Sequence, residues 1–333
     1  MKPYFHIIRW ENLLVLALIQ WLILHAVVFP LLHTFGFDTS PYATLYWLLI
    51  LSTLLITAGG YVINDYFDVK IDRINRPERI VVGEKISLKS TMLYYQILTG
   101  LGTAIGLVVA FLSKSFTLGF IFILTPGLLW FYSASYKRQF IVGNLIVSLS
   151  VASAVFIVGI LAVALLKLNY GDLLVQTPIP KTIYGWTGGF AGFAFLLTWM
   201  REIIKDMADI EGDREMECRT MPIKWGAKKT KLFLYGLILL TIVVLFFAEH
   251  YFVSFENNIT ARYIIFGLCL PLTALGYMVF KAKTPAEYRQ ASTLSTYIML
   301  IGILYSVVFY YLLAQKFGIS LDCLLLPKYA EKS

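Results

Sequence analysis

The chain has 333 residues, of which 59% are hydrophobic and 14% are charged, and its formal net charge at pH 7 is +8. Soluble domains typically contain about 25% charged residues, so this composition excludes a protein that is solvated on all sides. Three scattered cysteines and four scattered histidines also exclude a disulfide framework and a zinc cluster.

Apolar runs of bilayer length recur along the chain. A membrane-spanning helix needs about 20 mostly apolar residues. The first run is too long for a signal peptide, and no small-residue cleavage site follows it. The sequence therefore predicts an all-α integral membrane protein with nine transmembrane helices. The predicted spans are Asn12–Leu32, Tyr42–Ile63, Thr91–Leu112, Thr117–Tyr136, Phe140–Leu166, Ile183–Ile204, Leu232–His250, Ala261–Phe280 and Ser292–Leu313.

A charged segment, NDYFDVKIDRINRPERI, begins at Asn64, directly after the second predicted span. Within it, Asp65, Asp68 and Asp72 are spaced three and four residues apart. Residues at these intervals share one face of a helix, and Asn64 joins that face four residues before Asp68. Carboxylates this close repel one another, and the helix dipole disfavours negative charge at a C-terminus. The segment therefore needs a partner that compensates its charge.

The end of the sixth predicted span carries the same pattern. In KDMADIEGDR, the residues Asp206, Asp209 and Asp213 repeat the spacing at an offset of 141 residues. Arg73 and Arg214 follow the two triplets at the same offset. The repetition predicts an internal pseudo-repeat within the chain.

The basic residues are divided unevenly between the two sides that nine spans create. Of the 28 lysines and arginines, 21 lie in or beside the loops on the side of the N-terminus, and 7 lie on the other side. Basic residues in short loops tend to remain cytoplasmic. We therefore expect a multi-pass protein of the cell (inner) membrane, with its N-terminus and charged loops in the cytoplasm. The bilayer is the expected surface partner, and no nucleic acid is expected.

Two of these loops, those after the second and sixth spans, contain 12 of the 20 acidic residues, and the topology rule does not explain them, because carboxylates contribute little to orientation. A multivalent cation between the first acidic motif, residues 64–72, and the second acidic motif, residues 206–213, would explain them. The ligand atoms are all oxygen, which indicates Mg²⁺, with Mn²⁺ as an alternative, rather than zinc.

Basic side chains near the two acidic motifs extend this hypothesis. Mg²⁺ commonly completes its shell with water and substrate phosphate, and cationic groups such as Lys137 bind phosphate oxygens. The pattern therefore indicates a diphosphate site. Two other interpretations stay open, namely a network of interfacial salt bridges and a transporter with ion-coupled carboxylates.

The motifs resemble those of the UbiA superfamily of intramembrane prenyltransferases. The NDxxDxxxD signature of that family is matched from Asn64 to Asp72, and the DxxxD signature is matched by Asp209 and Asp213. The segments WFYSASYKR, from Trp130, and GNL, from Gly143, are also similar. The resemblance implies a single domain over residues 1–333, with nine helices around a central cavity. It also implies a cytoplasmic cap made by the loops after the second and sixth spans.

The resemblance further implies Mg²⁺-dependent transfer of an isoprenyl group from its diphosphate to a lipophilic acceptor. Asp68, Asp72, Asp209 and Asp213 would be the catalytic residues. The metal would be held by Asn64, Asp65, Asp68, Asp72, Asp206, Asp209 and Asp213. The diphosphate would be bound by Lys137, Tyr132, Arg9, Arg73, Arg76 and Arg214.

Within the superfamily, the two acidic motifs are most similar to those of digeranylgeranylglyceryl phosphate synthases, which alkylate a glycerol phosphate ether lipid. The acceptor predicted from this likeness is a geranylgeranylglyceryl phosphate-type lipid. The segment RIVVGEKIS, from Arg79, departs from the usual R-P-x-x-x-G-x-I-S form. An aromatic quinone precursor of the hydroxybenzoate, dihydroxynaphthoate or homogentisate class is therefore the alternative acceptor.

Overall fold

The computed structural model describes residues 2–37, 42–75, 80–252, 255 and 258–318, and the regular elements in this part of the chain are helical. The only β-type contact among these residues is an isolated bridge between Val82 and Ile86. The helices are α1 (Lys2–Ile7), α2 (Trp10–Thr34), α3 (Ala43–Asn75), α4 (Leu88–Leu112), α5 (Phe116–Ala134), α6 (Val142–Tyr170), α7 (Ile179–Ala208), α8 (Ile210–Glu215), α9 (Met221–Phe252), α10 (Ile259–Lys281) and α11 (Pro285–Phe317).

Eight of the described helices are long and apolar enough to cross a membrane, namely α2 to α6 and α9 to α11. They coincide with eight of the nine predicted spans. The remaining one, the sixth predicted span, Ile183–Ile204, lies within α7, which is long enough at 30 residues but is not among the eight. Glycine, threonine and tryptophan interrupt the apolar residues of α7 and lower its mean hydropathy.

Two of the spans contain a π-helical segment just before a proline. In α2 the π segment is Ile23–Val28, followed by Pro30, and in α10 it is Tyr263–Cys269, followed by Pro271. A proline cannot donate to the carbonyl four residues back, and its ring clashes with that carbonyl. The helix widens over the preceding turn, so that the N–H of Phe29 reaches the carbonyl of Leu24 five residues back.

Close packing of α3 against α4 depends on a glycine. A Cβ at Gly102 would lie 3.0 Å from the backbone nitrogen of Ile56, and the hydroxyl of Ser52 donates to the Gly102 carbonyl over 2.7 Å. Small residues permit such approach of helix backbones in a membrane, where apolar burial gives little preference for protein over lipid. This contact fixes α3, which carries the first acidic motif.

A buried glutamine joins three spans in the apolar part of the bundle. Gln20 of α2 is fully buried, and its amide nitrogen donates to the carbonyl of Ala154 in α6 over 2.7 Å and to the hydroxyl of Thr53 in α3 over 3.3 Å. Hydrogen bonds of this kind between transmembrane helices typically contribute about 0.6 kcal/mol each. They hold α2, α3 and α6 together below the polar end of the bundle.

The polar end collects the connecting segments after α3, α5 and α7. The apolar side chains of Val81, Val82 and Ile86 are buried against Ile7 of α1 and Val62 of α3. The N–H of Arg219, between α8 and α9, donates to the carbonyl of Arg138 over 2.8 Å. These contacts join the segment after α3 to α1 and α3, and the segment before α9 to the turn that follows α5.

Candidate functional site

The first acidic motif lies on one uninterrupted helix. Residues 64–72 belong to α3, so Asn64 and Asp68 are one turn apart on the same face, as predicted. The amide nitrogen of Asn64 donates to Oδ2 of Asp68 over 2.7 Å, and Asp68 is only 5% exposed. Asp68 is therefore the least solvent-exposed carboxylate of this motif.

Lys137 meets the first motif from a different part of the chain. It lies on a short 3₁₀ turn, Tyr136–Arg138, and its Nζ donates to Oδ2 of Asp68 and, over 3.4 Å, to Oδ1 of Asn64. Burial alone would lower the pKa of Lys137, but the charges of Asp68, Tyr132 and Asp72, together with the hydrogen bond to Asp68, raise it overall. Lys137 is therefore a permanent cation against the first motif.

The GNL segment explains how Lys137 is positioned. Gly143 opens the first turn of α6, and a Cβ there would lie 2.8 Å from the carbonyl oxygen of Tyr136 and 2.9 Å from Cα of Lys137. Any side chain larger than hydrogen would push the 3₁₀ turn away from α6. Glycine at this position therefore lets Lys137 approach the acidic residues.

Arg9 is a second cation that contacts the first motif, at Asp65. Its guanidinium donates to Oδ1 of Asp65 over 2.8 Å and lies 4.8 Å from the centroid of the Tyr61 ring. Burial acts to lower the pKa of Arg9, but the charges of Asp65, Tyr61 and Asp68, together with the hydrogen bond to Asp65, raise it overall. The structure thus brings Arg9 to the acidic residues, next to the predicted phosphate-binding Lys137.

The second acidic motif has a different backbone. The sequence predicts one continuous ridge, but α7 ends at Ala208, and Asp209 has non-helical angles of φ −106° and ψ 16° before α8 begins. The prediction of an unbroken ridge is wrong here. The N–H of Asp213 still donates to the carbonyl of Asp209 over 3.1 Å, so the chain bends without losing its register. Asp206 lies before the bend and Asp213 after it.

Two polar side chains that the sequence analysis did not assign to the site contact the second motif. The amide nitrogen of Asn144 in α6 donates to Oδ2 of Asp206 over 2.9 Å, and Nη2 of Arg289 in α11 lies 3.6 Å from Oδ1 of Asp209. Asn144 belongs to the GNL segment, so the resemblance offered a signal for it. Arg289 had no such signal, because its loop reads as an ordinary helix entry.

The two motifs face a shared polar space. Burial raises the pKa of Asp213 to about 6, and its carboxylate also lies within electrostatic range of Lys137, Asp209 and Asp68. Tyr132 of α5 lies within range of Lys137, Asp68 and Asp206. Lys137 is also within range of Asp72. Carboxylates from both motifs therefore surround Lys137 and Tyr132.

The residues of this space fit a magnesium ion that is shared with substrate. Among the described residues, no group of three or more histidine, cysteine, aspartate or glutamate side chains is arranged to hold a metal by itself. Mg²⁺ commonly binds through one or two carboxylates and completes its shell with water and substrate phosphate. Oxygen ligands from two motifs, beside Lys137 and Arg9, match that mode of binding.

The remaining predicted phosphate ligands lie at the edge of the site. Arg73, at the end of α3, and Arg214, in α8, are exposed. Arg76 lies outside the described residues. The structure therefore brings Lys137, Tyr132 and Arg9 to the acidic residues, and it leaves Arg73 and Arg214 on the surface.

Comparisons with known proteins identify the family of the chain. The model of the UbiA prenyltransferase family matches residues 23–304. The chain is 32% identical to a digeranylgeranylglyceryl phosphate synthase of Methanosphaera stadtmanae over 73% of this chain and 76% of that protein. It is 30% identical to the enzyme of the same name from Methanococcus maripaludis over 92% of this chain and 99% of that protein.

Solved structures show the same fold. A structure of a digeranylgeranylglyceryl phosphate synthase in membranes matches 93% of this chain and 98% of its own, with a TM-score of 0.63 and 24% identity. A UbiA homologue from Archaeoglobus fulgidus, bound to DMAPP and Mg²⁺, matches 92% of this chain and 99% of its own, with a TM-score of 0.56 and 16% identity. The chain therefore belongs to the UbiA prenyltransferase family, and it is a multi-pass membrane prenyltransferase.

Proposed function

We propose that this protein transfers a geranylgeranyl-type isoprenyl group from its diphosphate to the free hydroxyl of a geranylgeranylglyceryl phosphate-type lipid, with Mg²⁺ as cofactor. The observation that carries the proposal is the convergence of two acidic motifs on Lys137. Relatives named digeranylgeranylglyceryl phosphate synthases, at 30–32% identity, support the acceptor. The Archaeoglobus homologue bound to DMAPP and Mg²⁺ supports the donor class and the ion.

In this reaction the bond between the first isoprenyl carbon and the diphosphate oxygen breaks, and its electron pair leaves with the diphosphate. The acceptor oxygen forms the new ether bond and releases its proton. Mg²⁺, when bound, neutralises charge that develops on the departing diphosphate. Lys137 and Arg9 add positive charge at the same end, where it is already oriented before the reaction begins. The apolar bundle keeps water from the isoprenyl carbon.

We assign the ion to oxygen atoms of both motifs, with Mn²⁺ as a substitute to be tested. The ion would be coordinated by the catalytic residues Asp68, Asp72, Asp209 and Asp213. The ligand set would be completed by Asn64, Asp65 and Asp206. Lys137, Tyr132 and Arg9 bind the diphosphate from inside the bundle. We assign the outer diphosphate contacts to Arg73 at the end of α3, to Arg214 in α8 and to Arg76, and we assign the cap to the segments that follow α3 and α7.

The segment RIVVGEKIS, from Arg79, suggested an aromatic acceptor, but its packing gives no support to one. The departure from the family form lies in the apolar residues that follow Arg79, and Val81 and Val82 are buried against Ile7 and Val62. These side chains stabilise the junction of α1 with α3 and do not line the polar space. The unusual sequence of this segment is therefore explained by packing rather than by a different acceptor.

We also propose that α7 crosses the membrane, which brings the number of spans to nine, and that the polar end faces the cytoplasm. At 30 residues α7 is about 45 Å long, which exceeds the hydrocarbon thickness of a bilayer. Residues 1–333 would then form one domain with nine helices around a cavity. Single cysteines test this topology when one replaces Lys181, in the first turn of α7, and another replaces Arg214, in α8. The two cysteines should react with a membrane-impermeant reagent from opposite sides of the membrane.

The function is tested by purified protein with labelled geranylgeranyl diphosphate and a panel of acceptors. The panel contains geranylgeranylglyceryl phosphate, hydroxybenzoate, dihydroxynaphthoate and homogentisate, each with Mg²⁺, with Mn²⁺ or with chelator. We expect labelled ether lipid only with the glyceryl phosphate acceptor and only with a divalent ion. Prenylation of an aromatic acceptor in its place would contradict the assigned acceptor. Turnover in the presence of chelator would contradict the requirement for a divalent ion.

A further inference from the structure

A second group of charges, which the reaction described above does not use, lies beside the candidate site. We name it the Glu202 cluster, and it consists of Arg201, Glu202 and Lys205 on α7. Glu202 is only 7% exposed. Nη1 of Arg201 donates to its Oε1 over 3.1 Å, and Nζ of Lys205 donates to both of its oxygens over 3.0 and 2.9 Å. The cluster is compact, with Glu202 buried and the two cations each 33% exposed.

The Glu202 cluster is held in place from a neighbouring helix. Nε of Arg201 donates to the hydroxyl of Thr296 in α11 over 3.1 Å. This bond joins α7 to α11 and fixes the plane of the guanidinium. A guanidinium has five N–H donors, and two of them are used by Glu202 and Thr296, so the remaining edge of Arg201 keeps donors for a further acceptor.

The charge of the Glu202 cluster is unbalanced. Two cations surround one buried carboxylate, which leaves a net charge of +1 within the cluster. The next carboxylate of α7, Asp206, is bound by Asn144 and belongs to the proposed metal site. Arg201 and Lys205 share the single carboxylate of Glu202, and each side chain is 33% exposed, so the positive charge that Glu202 does not neutralise is open to an anion that approaches their exposed sides.

The position of the Glu202 cluster relative to the diphosphate site narrows the choice of anion. Glu202 and Lys205 lie within electrostatic range of Lys137, and Glu202 lies within range of Tyr132. The cluster therefore borders the polar space without sharing Asp68 or the 3₁₀ turn of Lys137. An anion here would be a neighbour of the diphosphate and not the diphosphate itself.

We propose that Arg201 and Lys205 bind the phosphate of the acceptor lipid, with Glu202 and Thr296 as positioning residues. This inference rests on the proposed function, which supplies an acceptor with a phosphate. A phosphate monoester carries about −1.5 to −2 charges at pH 7 and three acceptor oxygens, which suit the surplus charge and the free edge of Arg201. The cluster would select a phosphorylated acceptor over an uncharged one.

The test compares acceptors in the wild type and in Arg201→Met and Lys205→Met, which keep the alkyl part of each side chain. With geranylgeranylglyceryl phosphate, we expect the acceptor KM to rise about 10- to 100-fold per variant, since hydrogen bonds to charged groups are strong. The donor KM should change less than about threefold. With geranylgeranylglycerol, which lacks the phosphate, variants and wild type should have the same kcat/KM.

Several results separate the possibilities. Lys181→Met, an exposed lysine at the opposite end of α7, is the matched control and should behave as wild type. Mg²⁺-dependent diphosphate release without acceptor reports that each variant is folded and binds donor. If a variant fails this control, Arg201→Lys and Thr296→Val replace it, because both retain the charge, and a smaller rise in acceptor KM is expected from each.

A donor KM that rises while the acceptor KM stays constant would assign the Glu202 cluster to the diphosphate and overturn the proposal. Unchanged acceptor KM in folded variants would reduce the cluster to a structural contact between α7 and α11. If the wild type transfers nothing to the phosphorylated acceptor, the proposed function itself fails, and that outcome is distinct from either result in the variants.

Discussion

The two acidic motifs have the same spacing of aspartates but different structures. The first lies on the unbroken helix α3, whereas the second is bent at Asp209, where α7 ends and α8 begins. Asp213, which follows the bend, is only 8% exposed and lies within electrostatic range of Lys137.

Their partners differ as well. The first motif is bound by cations, through Arg9 at Asp65 and Lys137 at Asp68. The innermost residue of the second motif, Asp206, is bound by the neutral amide of Asn144. A neutral partner leaves the negative charge uncompensated, which favours a divalent ion. Asp209 of the second motif does lie 3.6 Å from a cation, Arg289, so the contrast between the two motifs is sharpest at Asp206.

The largest effect is expected from removing one carboxylate in each motif. Asp68→Ala and Asp209→Ala should each reduce prenyl transfer by more than about 1,000-fold, because charge on the leaving group is no longer neutralised. Steady-state transfer in detergent measures the loss, and membrane insertion should be intact. Asp172→Ala, on an exposed turn where it pairs with Lys167, is the control. Substantial activity in either motif variant would contradict a shared ion.

A smaller effect is expected from Lys137→Met. Diphosphate release should slow by about 100- to 1,000-fold, which is the usual loss for one oriented donor at a developing charge. The Mg²⁺ concentration for half-maximal rate should not rise, because Lys137 competes with the ion for Asp68. Lys137→Arg should recover part of the rate. A variant that loses Mg²⁺ affinity would show that Lys137 supports the metal instead.

Asn144→Leu sharpens the assignment of the second motif. Loss of the hydrogen bond to Asp206 should raise the Mg²⁺ requirement by about 10- to 100-fold, as for other partners of metal ligands, with a smaller change in donor KM. The activity is measured across Mg²⁺ concentrations. Asn169→Leu, at the far end of the same helix α6, serves as the control. An equal effect of both substitutions would point to helix packing.

The smallest effect is a pH dependence of Mg²⁺ affinity. Burial raises the pKa of Asp213 to about 6, so the carboxylate is ionised above that pH and becomes protonated below it. Because a ligand must be deprotonated to bind the ion, the apparent affinity should fall by up to about tenfold per pH unit below 6. Titration of activity with Mg²⁺ from pH 5 to pH 8 measures it. Asp213→Asn should flatten the profile.

The sequence predicted the elements whose cause is local. Apolar length determined eight spans that the structure reproduces, and the spacing of Asn64 and Asp68 predicted their common face on α3. The bend at Asp209 escaped this reasoning, because KDMADIEGDR has helical spacing and good helix-forming residues on both sides of Asp209. Its glycine, Gly212, lies after the bend and inside α8.

The sequence by itself determined the class of protein, since long apolar runs of this number are accommodated in a bilayer, and its repeated motif predicted which carboxylates would serve one site. Tertiary structure alone decided which polar side chains meet. Lys137 reaches Asp68 across 69 residues, Asn144 reaches Asp206 across 62, and Arg201 reaches Thr296 across 95. Such pairs form because helix packing brings distant side chains together, and no local spacing encodes that approach.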